Sequence, residues 1–193
     1  MLKYIVLGLL SYRPMSGYDI QHWMGASTGH FWHATLTQVY TTLKKLEAEG
    51  LADSHIEPGT DRPDRRVYRL TESGRADFKR WQASVTTDME VKKDSLLVKL
   101  FFAAPEDVEG LLTQLRVQVT LHRQQREAYE RNVPQAMMAF LSDQPELMPN
   151  AELWELTRQY GIRYEETYLE WLHMAIQFLE ARHSSRPTDE HKG

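Results

Sequence analysis

The chain has 193 residues, 41% of them hydrophobic and 26% charged, with a formal net charge of −4 at pH 7 and no cysteine. That length holds one large or two small domains with a real core, while the lack of cysteine excludes disulfides, thiolate metal sites and cysteine nucleophiles. No signal peptide, lipidation motif or bilayer-spanning apolar run is evident, so the expectation is a soluble, cytoplasmic protein without a membrane partner. Charge is uneven: residues 1 to 84 hold 11 Lys and Arg against 9 Asp and Glu, and residues 85 to 193 hold 12 against 18. Contact with an anionic polymer therefore belongs to the first half.

Residues 2 to 11, LKYIVLGLLS, are apolar on almost every face and are followed by Pro14. They read as a buried helix that stops before the proline, because the residue preceding proline is pushed out of the helical region. Ser16 is suited to cap a second, short helix through Tyr18, Ile20 and Trp23 toward Gly25. A third helix is expected from about Ala34 to Glu49, with Val39, Leu43 and Leu46 as its apolar stripe and Gly50 as a left-handed terminator. The runs LADSHIE and RRVYRLT, joined by the turn-forming PGTDRPD, pair most simply as a hairpin. Thr71 or Ser73 then caps a fourth helix over ESGRADFKRWQASV.

Three helices, a hairpin and a further helix within about 80 residues is the order of a winged helix-turn-helix. No strand is expected beyond Asp88. KKDSLLVKLFFA reads as a short apolar helix, and Pro105 is placed to open a long helix running to about Arg131. Along it Val108, Leu112, Leu115, Val119, His122 and Tyr129 form a coiled-coil-like seam. NVPQAMMAFLSDQPELMPN reads as a connection with a short helical piece inside it. In the last helix a second seam falls on Leu153, Tyr160, Tyr164, Thr167, Trp171, Met174 and Phe178. Two long helices with such narrow seams need a partner, and a second copy of the chain is the simplest. The expected division is a DNA-binding domain over 1–87, a helical dimerisation domain over 88–184 and a disordered tail over 185–193. The fold class is mostly α with a small β-hairpin.

The segments LGLLSYRPMSGYDI, VYTTLKKLEAEGLADS and RRVYRLTESGRADF resemble PadR-type transcriptional regulators in order and spacing, across roughly residues 2 to 82. DSLLVKLFFA and RYEETYLEWL further resemble the helical C-terminal domain of the subgroup that includes virulence-gene activators. The resemblance implies a homodimer, held by the C-terminal helices, that sets two winged domains on an inverted-repeat operator in double-stranded DNA. It also implies interface roles for Tyr40, in the middle of the recognition helix, and for Tyr18 of the GY pair.

The third helix carries Thr35, Thr37, Gln38, Thr41, Thr42, Lys44 and Lys45 off its apolar stripe, with no acidic residue between Thr35 and Lys45. Such side chains suit phosphates and major-groove base edges, although a solvated polar face is the commoner fate of a set like this. Arg62, Arg65 and Arg66 at the hairpin are candidates for phosphate or minor-groove contact, against a bland reading as a charge-compensated loop beside Asp61 and Asp64. Trp32, Phe101, Phe102, Trp154, Tyr164, Tyr168 and Trp171 are candidates to line a pocket for a small aromatic ligand, with ordinary core packing as the default reading. His22, His30 and His33 lie close in sequence without acidic partners at ligand spacing, so no metal or other cofactor is expected. No motif points to catalysis. The competing hypothesis is a protein-interaction module that keeps the winged fold without reading DNA, which weak salt dependence of binding would reveal.

Overall fold

Helix α1, Leu2–Tyr12, ends where the sequence says it must: Arg13, ahead of Pro14, is extended at φ −161° and ψ 163°. The computed structural model describes residues 1–27, 32–58, 63–87, 89, 93–104 and 107–184. They fall into two units, Met1–Asp88 with Ala136–Pro149, and Met89–Gln135 with Asn150–Gly193. The expected disordered tail, the opening role of Pro105, and His30, Asp61 and Arg62 lie outside the described residues.

In the first unit, β1 (Met15–Ser16) leads into α2 (Gly17–Ala26), followed by α3 (Leu36–Ala48), the hairpin strands β2 (Ala52–Glu57) and β3 (Arg65–Leu70), and α4 (Glu72–Ala83). The two-residue β1 is invisible to any periodicity argument, yet it adds to the hairpin and makes a three-stranded antiparallel sheet of order β1-β3-β2. Its register sets Met15 opposite Tyr68 and Ser16 opposite Val67. Gly50, at φ 68°, terminates α3 in the left-handed region that glycine alone enters freely. Of the two candidate caps for α4, Thr71 is the one used, its hydroxyl accepting from the Gly74 amide at 3.0 Å. The core gathers Val6, Leu7 and Leu10 of α1, Met15, Ile20, Val39, Leu43, Leu46, Val67 and Tyr68. Tyr4 stacks on Trp81 at 4.5 Å, which ties α1 to α4.

In the second unit, Asp94 caps α5 (Ser95–Phe101) by accepting from the amides of Leu96 at 2.9 Å and Leu97 at 3.3 Å. Leu96 then packs with Val108, Leu111, Leu112, Leu115 and Val119 of α6 and with Leu169, Leu172 and Leu179 of α7 (Ala151–Ser184). The α6 seam is thus buried as its spacing predicts, and Tyr129 with it.

Two expectations are corrected. Helix α6 does not stop near Arg131 but runs from Val108 to Asp143 with Pro134 inside it. Proline costs about 3 kcal/mol in a helix interior, because it lacks the amide that would reach the carbonyl four residues back. Packing beyond it offsets that cost. Phe140 and Leu141 are buried. Phe140 lies edge-on to Trp23 at 4.4 Å and to Tyr12 at 6.1 Å, and the Arg13 guanidinium sits over the Phe140 ring at 5.2 Å. Helix α7 buries Gly161, Glu165, Leu169, Leu172 and Leu179, a face one residue on from the expected seam. Of the expected seam, Leu153, Tyr160, Met174 and Phe178 are exposed, whereas Tyr164 and Trp171 are half-buried. Gly161, unexplained by helix propensity, belongs to the buried face.

Candidate nucleic-acid interface

Helix α3 begins in a complete capping box. The Thr35 hydroxyl accepts from the Gln38 amide at 3.3 Å, and the Gln38 side-chain carbonyl accepts from the Thr35 amide at 2.9 Å. The sequence marked both residues for their polarity; the structure shows that they also start the helix. Thr37 and Thr41 are exposed, and the Thr41 hydroxyl donates to the Thr37 carbonyl at 2.8 Å, as Thr42 does to Gln38. Lys44 and Lys45 are exposed further along the helix. Val39, Leu43 and Leu46 are buried, so the polar set is the solvent face of α3.

Tyr18, in the first turn of α2, is 65% exposed, and Tyr40 is 37% exposed. Ser16 caps α2 in a second capping box with Asp19, the Ser16 amide donating to the Asp19 carboxylate at 2.8 Å. That carboxylate also receives Arg65 from β3. The sequence offered no signal for the pair, since the two residues are 46 positions apart. Arg66 lies 3.8 Å from Glu47 of α3, whose other oxygen accepts from Ser54 of β2 at 2.5 Å. Arg69 bonds Asp53 across the hairpin at 2.5 Å. The three arginines of β3 thus reach carboxylates on α2, α3 and β2. Tyr18, Thr35, Thr37, Gln38, Tyr40, Thr41, Lys44, Lys45, Arg65 and Arg66 all belong to the winged unit.

The aromatic candidates divide. Trp32 is half-buried in the winged unit, whereas the rest belong to the helical one. Phe101 and Phe102 contact each other at 5.0 Å at the end of α5 and are both strongly exposed. Trp154 is half-buried on α7. Tyr164, Tyr168 and Trp171 come together, with ring centroids 5.9 Å apart for the first pair and 5.4 Å for the second. They gather beside a polar group that the seam argument did not foresee. His122 stacks on Tyr168 at 4.2 Å and bonds through Nδ1 to the buried Glu165, while the Tyr168 hydroxyl donates to Asp94 at 2.5 Å. Burial pushes the Tyr168 phenol well above its ordinary range, and the Asp94 carboxylate adds to the rise. Burial likewise raises Tyr129. The Arg158 guanidinium grips Glu155 with two bonds of 2.6 and 2.7 Å and donates to the Tyr129 carbonyl at 3.0 Å, which fixes α7 against α6. Among the described residues no group of His, Asp and Glu is placed to hold a metal ion, and no helix is long and apolar enough to cross a membrane.

A three-stranded winged sheet behind a capped helix with a polar solvent face, continued into long C-terminal helices, defines a winged helix-turn-helix protein with a helical second domain. The chain carries a domain of the PadR-like family of transcriptional regulators, whose profile matches residues 6–80, and a virulence-activator α C-terminal domain, whose profile matches residues 92–180. A probable transcriptional regulator of Mycobacterium tuberculosis is 29% identical, over 94% of this chain and 98% of its own. The negative transcriptional regulator PadR of Bacillus subtilis is 27% identical, over 93% and 97%. Solved in complex with operator DNA, Bacillus subtilis PadR superposes with a TM-score of 0.71 at 25% identity, covering 92% of this chain and 98% of that one. In complex with p-coumaric acid the same protein gives 0.65 at 25% identity, over 93% and 98%. The Vibrio cholerae virulence activator AphA gives 0.67 at 26% identity, over 94% and 99%.

Proposed function

We propose that the chain regulates transcription as a homodimer that places two α3 helices in successive major grooves of an inverted-repeat operator, acting by binding, in the cytoplasm, without catalysing a reaction. The carrying observation is the solvent face of α3, which holds threonines, an amide and two lysines and no carboxylate before Glu47. The operator complex of Bacillus subtilis PadR supports the same reading. In this division residues 1–87 read DNA and 88–184 associate.

Lys44, Lys45, Arg62, Arg65 and Arg66 set affinity through phosphates, Tyr18 and Tyr40 flank them, and Thr37, Gln38 and Thr41 read bases. The hydrogen bonds sharpen this chemistry. The Gln38 carbonyl is held by Thr35, so Gln38 reads through its amide hydrogens, which suit acceptors such as guanine O6 and N7 or thymine O4. The Thr41 proton is held by Thr37, so that hydroxyl presents an acceptor to the exocyclic amines of adenine or cytosine.

Control by a small aromatic effector belongs to the same proposal. Its support is the grouping of Tyr164, Tyr168 and Trp171 around a buried polar centre, together with the p-coumaric acid complex of the Bacillus relative. Tryptophan fluorescence unmoved by a panel of phenolic acids would count against it.

Selection of bound duplexes from a random pool at two salt concentrations tests the main reading. A two-fold symmetric site with steeply salt-dependent affinity is expected. No binding at either salt would overturn it and favour a winged fold that contacts protein instead.

A further inference from the structure

We propose that Gly17 is a positioning residue of the DNA interface: having no Cβ, it seats the Tyr40 ring against the start of α2 and so sets where the Tyr40 hydroxyl meets the operator. This rests on the DNA reading above and adds a residue to it.

A Cβ built on Gly17 would stand 2.5 Å from Tyr40 Cε1, 2.7 Å from Cζ and 3.0 Å from Cδ1, so the phenol edge occupies the volume that any other residue would fill. Nothing else at this position calls for glycine. Gly17 lacks the positive φ that Gly50 has, and glycine is among the poorest helix formers, about 1 kcal/mol below alanine in a helix interior. Alanine at the head of α2 would be neutral or favourable for the helix but for the ring.

The backbone at Gly17 is also held from several sides. Ser16 pairs with Val67 in the sheet and closes the capping box with Asp19, and Asp19 is gripped by Arg65. The tyrosine has more freedom: its ring is 37% exposed, and the conflicting atoms lie at the far end of a rotatable side chain. When a side chain at residue 17 and the Tyr40 ring compete, the ring is the partner that moves. Its hydroxyl then leaves the place from which it reaches a phosphate or base edge. The fold survives and the interface is misaligned, which is the mark of a positioning role.

The test is a double-mutant cycle on the full-length protein, measured as affinity for the selected operator and as melting temperature. Gly17→Ala is expected to weaken operator binding about fivefold, the scale of one lost hydrogen bond, while melting stays within about 3 °C of wild type. Tyr40→Phe, which keeps the ring and loses the hydroxyl, is expected to match it. In a Tyr40→Ala background Gly17→Ala should change affinity by less than about twofold, because no ring remains to displace. Three outcomes overturn the proposal: wild-type affinity in Gly17→Ala or in Tyr40→Phe, an equal loss in both backgrounds, or a melting drop beyond about 10 °C, which would make the glycine a packing residue. Failure of the wild-type protein to bind any selected duplex would instead remove the DNA reading, and this inference with it.

Discussion

The winged unit closes its core on itself, whereas the helical unit does not. In the first, α1, α3, α4 and the sheet surround Leu7, Ile20, Leu43 and Tyr68, all at 1% exposure or less. In the second, α5, α6 and α7 seal one face around Leu115 and Leu172 and leave Leu153, Leu156, Tyr160, Met174 and Phe178 of α7 in solvent, with Val117 and Leu121 of α6. The difference teaches that a chain can mark its interface by what it fails to bury. Large apolar side chains at heptad spacing on one helix are costly in water, and in the proposed homodimer a second copy would remove them from it.

The largest effects test whether the two cores differ in self-sufficiency. Leu43→Ala and Leu172→Ala each remove a fully buried side chain and should cost about 2–5 kcal/mol in denaturant unfolding. Unfolding of the winged core should be independent of protein concentration, whereas unfolding of the helical core, in wild type and Leu172→Ala alike, should move to higher denaturant as concentration rises. Identical concentration dependence would erase the contrast. Next comes Glu165→Ala, which leaves His122 without its partner inside the helical unit. We expect a loss of about 3 kcal/mol by thermal unfolding, reduced for Glu165→Gln, which keeps a hydrogen-bonding group. An equal loss for both would mean that charge, and not bonding, holds the pair.

Smaller changes sharpen the reading of the winged unit. Thr35→Ala should cost about 1 kcal/mol of stability through the lost cap. Lys44→Ala should leave stability unchanged while lowering affinity alike for all sequences and reducing the salt slope by about 1. A sequence-selective loss for Lys44 would move it among the base readers. The smallest effect concerns Asp77, whose carboxyl is held below its ordinary range by the Lys3 ammonium, 3.0 Å away. A depressed folded value stabilises the fold above the unfolded value of 3.8 and loses that contribution as pH falls through the folded one. Asp77→Asn should therefore cost less than about 1 kcal/mol near neutrality and nothing in strong acid. Destabilisation that persists in acid would show that packing of the side chain, and not its charge, matters.

Much of the fold was legible because it rests on local physics. Pro14, Ser16, Gly50 and Thr71 stop or start helices within a few residues of themselves, and the α3 and α6 stripes announce their buried faces by spacing alone. What escaped depends on residues far apart in sequence. Strand β1 exists only because β3 lies beside it. Helix α6 continues past Pro134 to Phe140, which packs on Trp23 and Tyr12 more than a hundred positions earlier. In the candidate interface, polarity pointed to Thr35 and Gln38 but could not show that they bond each other, and Arg65 could not be paired with Asp19 across 46 positions.

The amino-acid sequence by itself determined the order of elements, the winged-helix class, the family and the polar face of α3, because caps, turns and apolar periodicity act over a few residues each. Only the tertiary structure decided which of two adjacent faces α7 buries within the chain, since a heptad pattern names a stripe but not its partner. It also decided that Gly17 makes room for a tyrosine 23 positions away, because the volume a side chain would fill is set by what packs beside it and by nothing in its own neighbourhood of the chain.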